Sequence, residues 1–496
     1  MTIPIRFEVP VRAIAAAGLM AGLLAGCAAP NLGARPEPLA PAAIAASRSL
    51  AGTAGAEWPG EGWWKAYGDP QLDALIAEGL SASPDVAAAS ARFARAAALA
   101  RVSGAARLPT LDASGKVGLE KQSLNMGFPP EFQAFLPQGW NDSGQLAAQF
   151  GFDLDLWGKN RAAYAAATSD MRAAALDARQ ARLMLAAGIA SAYADLARLF
   201  AERDLRARQL EVATSSRALL AQREASGLEN RGGVAVSEGE VANARIALSQ
   251  AEESLALRRN QLAALVGAGP DRGLAIEAPR LAPAALRTLP EDVTINLVGR
   301  RADLVAARQR VESAASRIKV ARADFYPAVR LNALFGVQSL GLGLLFDKNS
   351  EFGSVGPAVS LPIFHGGEIK GRYESARADY DAAVAAYDSA VLGAYQQTAD
   401  ALTTARMATA RLGDARTALA AAQEGYDVIT RRYKAGLATS LDVLQVEDRL
   451  IQARLGAAAL ETIVRTADIA LARALGGGFA PSPVTGATTS EETTHG

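Results

Sequence analysis

Leu111-Asp112-Ala113-Ser114-Gly115-Lys116-Val117-Gly118-Leu119 and Gln145-Leu146-Ala147-Ala148-Gln149-Phe150-Gly151-Phe152-Asp153-Leu154-Asp155-Leu156 both alternate with a period of two. In the first, apolar or small residues fall on odd numbers (Leu111, Ala113, Gly115, Val117, Leu119), with Asp112, Ser114 and Lys116 between them. In the second, Leu146, Ala148, Phe150, Phe152, Leu154 and Leu156 alternate with polar positions that include Gln145, Gln149, Asp153 and Asp155. The pattern returns at Val329, Leu331, Ala333, Phe335 and Val337, and again at Val355, Val359, Leu361 and Ile363. Period-2 alternation over about ten residues marks a barrel strand with lipid on one face and water on the other. An ordinary half-buried sheet has the same period, and one stretch alone favours it. Four, paired in tandem and embedded in helical sequence, favour a membrane barrel. Trp157, Phe325-Tyr326 and Phe364 fall where strands meet helices, as an interfacial girdle would, although such residues are more often plain core. Four strands cannot close a barrel. An open edge in lipid leaves backbone groups unpaired at several kcal/mol each, so the chain must oligomerise to insert. Two chains would give eight strands and three would give twelve.

Outward from these strands the chain is written twice. Asp85 matches Asp303 and Pro109 matches Pro327. Arg223…Gly227-Leu228 matches Arg432…Gly436-Leu437, and Leu265-Val266-Gly267 matches Ala474-Leu475-Gly476. Repeat 1 is placed at 72–267, with strands about 109–119 and 145–157 and a tip turn about 225–236. Repeat 2 is placed at 291–476, with strands about 327–338 and 353–364 and a tip turn about 434–441. A Pro/Gly/Ala-rich linker, 268–290, joins them. The tail, 477–496, reads as disordered, and 27–71 as an extended, lipid-anchored segment.

The helical runs have matched lengths. The run 160–224 would span roughly 100 Å as one helix at about 1.5 Å per residue. The shorter helices of that copy, 72–107 and 237–267, total nearly the same length. In copy two, 368–434 stands beside 291–326 and 441–475. Two short helices stacked end to end beside each long one would form two columns per copy. Ringed chains would then enclose a tunnel. A solvated coiled-coil rod is the plainer alternative, but it leaves the strands unexplained.

The N-terminus reads as an export signal. Arg6 and Arg12, with Glu8 between them, precede an apolar run over 13–25 that is too short to span a bilayer. Leu24-Ala25-Gly26-Cys27 resembles the bacterial lipobox, in which the cysteine is acylated after cleavage of the signal, here 1–26. Cys27 is the single cysteine, so an internal disulfide is excluded; a buried spare thiol is the other reading. Acyl chains at about 0.8 kcal/mol per buried CH2 would anchor the protein, and Ala28 in place of aspartate points to the outer membrane. The 51 basic and 51 acidic residues balance, and losing two arginines and one glutamate with the signal leaves a net charge of −1. No basic surplus suggests nucleic acid.

Several blocks together resemble a known family, the TolC-like outer-membrane factors of efflux systems, nearest their OprM and NodT-like lipoproteins. They are Trp63-Trp64-Lys65-Ala66-Tyr67-Gly68-Asp69-Pro70-Gln71-Leu72, Phe152-Asp153-Leu154-Asp155-Leu156-Trp157-Gly158-Lys159, and Arg301-Ala302-Asp303-Leu304 with Ala323-Asp324-Phe325-Tyr326-Pro327. To these add Pro362-Ile363-Phe364-His365-Gly366-Gly367 and Arg432-Tyr433-Lys434-Ala435-Gly436-Leu437 followed by Leu441-Asp442-Val443-Leu444. Any one block is weak; all in order, over roughly 60–476, are specific. The resemblance implies a mainly α protein with membrane β. Its homotrimer would form a 12-stranded outer-membrane barrel continued by a periplasmic α-helical barrel. It would be a passive export duct for small molecules, served by a periplasmic adaptor and an inner-membrane pump of the RND type. A duct for type I protein secretion is the alternative, and a non-pore lipoprotein that tethers membranes through coiled coils is a third reading.

The resemblance also assigns residues. Gly227 and Gly436 would end the long helices in the left-handed conformation. With Leu228 and Leu437 they would form the tip turns where an adaptor docks. Asp442 matches the family's constriction aspartate, and three such carboxylates on an axis would favour cations and raise their own pKa. Tyr433 matches a residue that helps hold the entrance closed. Without the resemblance, both would be read as solvated helix positions. Two departures stand out: Gln445 occupies the place of a second aspartate, and Gly233, within Glu229-Asn230-Arg231-Gly232-Gly233, occupies the copy-one place of Asp442. The charge ring is therefore expected to be single and the gate weaker than the family's tightest. There is no phosphate loop, no metal-spaced His or Cys cluster and no catalytic Ser/His pair, and His365 and His495 suggest no site. Nothing supports enzyme activity or calls for a cofactor.

Overall fold

In the computed structural model of the chain, the described residues are 29–124, 129–283 and 285–480. Cys27, the signal 1–26 and residues 481–496 lie outside them.

Asp69 starts the first helix, α1 (Pro70–Ala82), by accepting from the Gln71 amide at 2.9 Å, with proline in the first helical position. The run expected as one helix over 72–107 is two. Pro84 drives the residue before it out of the helical region, so Ser83 is extended and α2 begins afresh as Pro84–Ala105. Strands β1 (Thr110–Glu120) and β2 (Asn141–Asp153) follow, then α3 (Lys159–Ala225) and α4 (Arg231–Leu265). The second copy repeats this order with α5 (Ala302–Ala323), β3 (Ala328–Leu340), β4 (Glu351–Ser360), α6 (Glu368–Lys434) and α7 (Ser440–Ala474). Corresponding helices match in length: 22 residues for α2 and α5, 67 for α3 and α6, 35 for α4 and α7. Strand β4 stops at Ser360, short of the expected 364, and Pro362, which has no amide to donate, lies just beyond.

The chain forms two compact units. The first holds Ala94–Ala173 and Arg308–Ala386, and with them the sheet. Its strands run antiparallel in the order β1-β2-β3-β4. The register aligns Leu111 with Phe150 and Ala333, Ala113 with Ala148 and Phe335, and Leu331 with Phe152. Val355 and Val359 join them opposite Ala333 and Val329. Side chains alternate along a strand, so these residues share one face. Leu111, Phe335 and Val355 are about three-quarters exposed on it. Lys116, Gln145 and Gln338 align on the other face.

The corner after β2 is built by Asp155, the single non-glycine residue with positive φ (46°) among those described. Its carboxylate accepts from the amides of Asn160 (2.8 Å) and Arg161 (2.9 Å), capping α3 and offsetting the cost of that backbone. Trp157 stacks on Tyr326 at 4.8 Å and donates Nε1–H to the Pro327 carbonyl at 2.7 Å, while Lys159 pairs with Asp324 at 2.6 Å. In the same unit, Arg377 donates to the carbonyls of Gly33 and Ala34, and Tyr380 donates to that of Pro36 at 3.0 Å.

The second unit holds Pro38–Phe93, Ala174–Ala307 and the chain from Tyr387 on. One stretch of α3 is apolar enough to cross a membrane by length and composition, but it supplies Leu185, Ile189, Tyr193, Leu196 and Leu199 to this unit's core. Ala186, Ala190 and Ala194 are almost fully buried between them, so neighbouring backbones approach closely. The short helices meet here. Gly267, after α4, sits against the Ala82 carbonyl, and Gly476, after α7, against the Arg300 carbonyl, where a Cβ would lie 2.6 and 1.9 Å from oxygen. The join at 268–290 is pinned rather than free. Tyr193 donates to Asp69 at 2.7 Å, and the Arg280 amide donates to the same carboxylate. Tyr67 and Arg287 both donate to Asp468 at 2.8 Å. Burial first, then Asp468, pushes the Tyr67 phenol far above its ordinary pKa. Nor is the tail free from its first residue, since Phe479 lies under the Arg179 guanidinium.

Candidate functional site

Both long helices end in the same device. The Leu228 amide donates to the Arg223 carbonyl (2.8 Å) and the Gly227 amide to that of Glu224 (2.9 Å). In copy two, Leu437 donates to Arg432 (2.8 Å) and Gly436 to Tyr433 (2.9 Å). This 6→1 and 5→2 pairing is a Schellman motif, and Gly227 (φ 75°) and Gly436 (φ 73°) occupy its left-handed position. The apolar residue after that glycine usually packs back on the helix. Here an arginine stands at the position it would meet, and Leu228 and Leu437 are 70% and 68% exposed.

The following helices start by side-chain caps. Asn230 accepts from the Gly233 amide at 3.0 Å, so α4 resumes at Arg231 and the turn is shorter than the expected 225–236. Thr439 and Asp442 form a capping box: Asp442 Oδ2 accepts from the Thr439 amide (2.8 Å) and hydroxyl (2.7 Å), and the Asp442 amide donates back at 3.2 Å. Gly233 and Asp442 are thus equivalent third positions of their helices. The Thr439 bonds, with Arg432 adding to them, hold the Asp442 carboxyl below the usual carboxylate range. Within one chain this is the reverse of the upward shift expected from converging carboxylates.

A cleft of about 290 Å³ at the second tip brings Leu437, Asp442 and Gln445 together with Arg432, Val446 and Arg449. Tyr433 does not line it; it stands about half exposed in the last turn of α6. Asp442, Gln445 and Arg449 are all exposed on one side of α7, while Glu447 and Leu450 are buried on the other.

Glu447 reveals a contact that sequence reasoning missed. Arg208, on α3, donates to Glu447 Oε1 from Nε at 2.6 Å and approaches it from Nη2 at 2.5 Å. Its neighbour Gln209 donates to Asp448 at 2.9 Å. These bonds tie the copy-one long helix, about five turns before its tip, to α7 about two turns after the second tip. The partners lie 239 residues apart, so no local pattern announces them.

Comparison with known proteins joins these features to a function. The family model described as outer membrane efflux protein matches residues 75–268 and again 296–477. The fusaric acid resistance protein FusA of Burkholderia cepacia is 37% identical over 365 residues, 72% of this chain and 67% of that protein. The multidrug resistance outer membrane protein MdtP of Escherichia coli is 29% identical over 440 residues, 86% of this chain and 88% of that protein. The crystal structure of the outer membrane protein VceC from Vibrio cholerae matches with a TM-score of 0.77 at 40% identity, over 85% of this chain and 100% of that one. Mainly helical, with an outer-membrane β domain and the architecture of an efflux duct, the chain belongs to the outer membrane efflux protein family.

Proposed function

We propose that three copies of this chain close one twelve-stranded barrel and serve as the passive outer-membrane duct of a tripartite pump. The observation that carries this reading is the four-stranded sheet with a shared apolar face and two unpaired edge strands, β1 and β4. Such edges are tolerated in lipid only when another copy pairs with them. Acylation at Cys27 would anchor each copy. The chain that follows Cys27 is held on α6 by Arg377 and Tyr380, in the same unit as the sheet, which supports an anchor on the membrane side. The exposed Leu228 and Leu437, each behind a fixed glycine turn, are the apolar contacts offered to a periplasmic adaptor. An RND-type pump in the inner membrane would load the duct. Asp442 and Gln445 would line the narrowed entrance, with Tyr433 and the Arg208–Glu447 contact holding it closed. Relatives are named for resistance to fusaric acid and to multiple drugs, and small toxic compounds are the cargo proposed here.

The test is a photo-crosslinking residue at Leu437 in cells that express the pump. Capture of a periplasmic adaptor is expected. Capture of nothing but other copies of the chain would remove the docking role from the tip.

A further inference from the structure

The second tip carries charges that the Thr439–Asp442 cap alone does not account for. On the exposed side of α7, Asp442 at the lip is followed one turn deeper by the neutral Gln445 and two turns deeper by Arg449. Arg432 lines the same cleft from α6. The Asp442 carboxylate is engaged by Thr439, whereas Arg449 has no ion-pair partner among the described residues. Of two nearby acids, Glu447 is paired with Arg208, while Asp448 accepts from the neutral Gln209 and keeps its charge in the adjoining groove rather than in this cleft. Glu240 lines the adjoining groove with Arg449 and Arg206, but no ion pair joins it to either. The cleft therefore holds two guanidinium groups and one carboxylate.

We infer that Arg449, supported by Arg432, sets the charge preference of the entrance in favour of anions, so that the duct's cargo includes small organic anions such as carboxylates. This rests on the proposal that the second tip narrows the pore. In a trimer, the lip aspartates are outnumbered two to one by arginines in and beneath the same clefts. Rings of arginine favour anions, and a cleft of one predominant sign concentrates the opposite one.

The experiment uses the full-length trimer carrying Gln445→Cys, reconstituted in planar bilayers, with the unsubstituted protein as control for Cys27. Two thiol reagents of equal size are compared, one bearing a sulfonate and one a quaternary ammonium. Faster reaction with the sulfonate reagent is expected, relative to a free thiol. Arg449→Gln should reduce that bias at least about threefold, and Arg449→Lys should keep most of it. A bias toward the ammonium reagent, or one unchanged by Arg449→Gln, overturns the inference. Modification should also block current. If the thiol reacts and the current persists, the tip is not the constriction, and the inference falls with that reading rather than on the charge of Arg449.

Discussion

Thr439 and Asp442 show how much a single residue's role depends on partners that a sequence pattern does not display. Asp442 was legible as a candidate because the block around it resembles a family tip. Its commitment to the cap was not, because a capping box is a geometric fact about the Thr439 amide and hydroxyl. A carboxyl held below its ordinary pKa contributes stability above the ordinary carboxylate range and loses it as pH falls through the folded value. The cap therefore persists through neutral and mildly acidic conditions. Thr439→Ala should cost about 1 kcal/mol of local helix stability. Amide exchange over residues 440–444 should then quicken by about fivefold. Unchanged exchange would mean that the cap does not hold the start of α7.

At the scale of elements, the strands and the tandem repeat were legible because period-2 alternation and block matches are local signals. Helix ends were less so. The break at Ser83 is dictated by Pro84, yet the surrounding alanines read through it as one helix. The Arg208–Glu447 contact was illegible, since it depends on how α3 and α7 lie side by side. Arg208 is nearly half exposed, so the pair is worth about 1 kcal/mol rather than the several of a buried pair. If it helps hold the entrance closed, Glu447→Gln should raise the open fraction of the channel about fivefold in planar bilayers. Exchanging the two charges, with Arg208→Glu and Glu447→Arg together, should restore the resting state. Equal currents from all three proteins would limit the contact to packing.

At the scale of the molecule, a single chain is an incomplete barrel. One chain supplies four strands with a single apolar face, and two of the four have an unpaired edge. It also supplies two copies of a helical hairpin whose corresponding helices agree in length. The number of chains is the part that neither alternation nor helix length fixes, because eight strands close a barrel as well as twelve. The family supplies the expectation of three. The most direct measurement is native mass spectrometry of the full-length protein extracted in detergent from outer membranes. A complex of three chains, each carrying acyl mass at its N-terminus, is expected. A monomer or a dimer as the membrane-extracted form would contradict the trimeric duct.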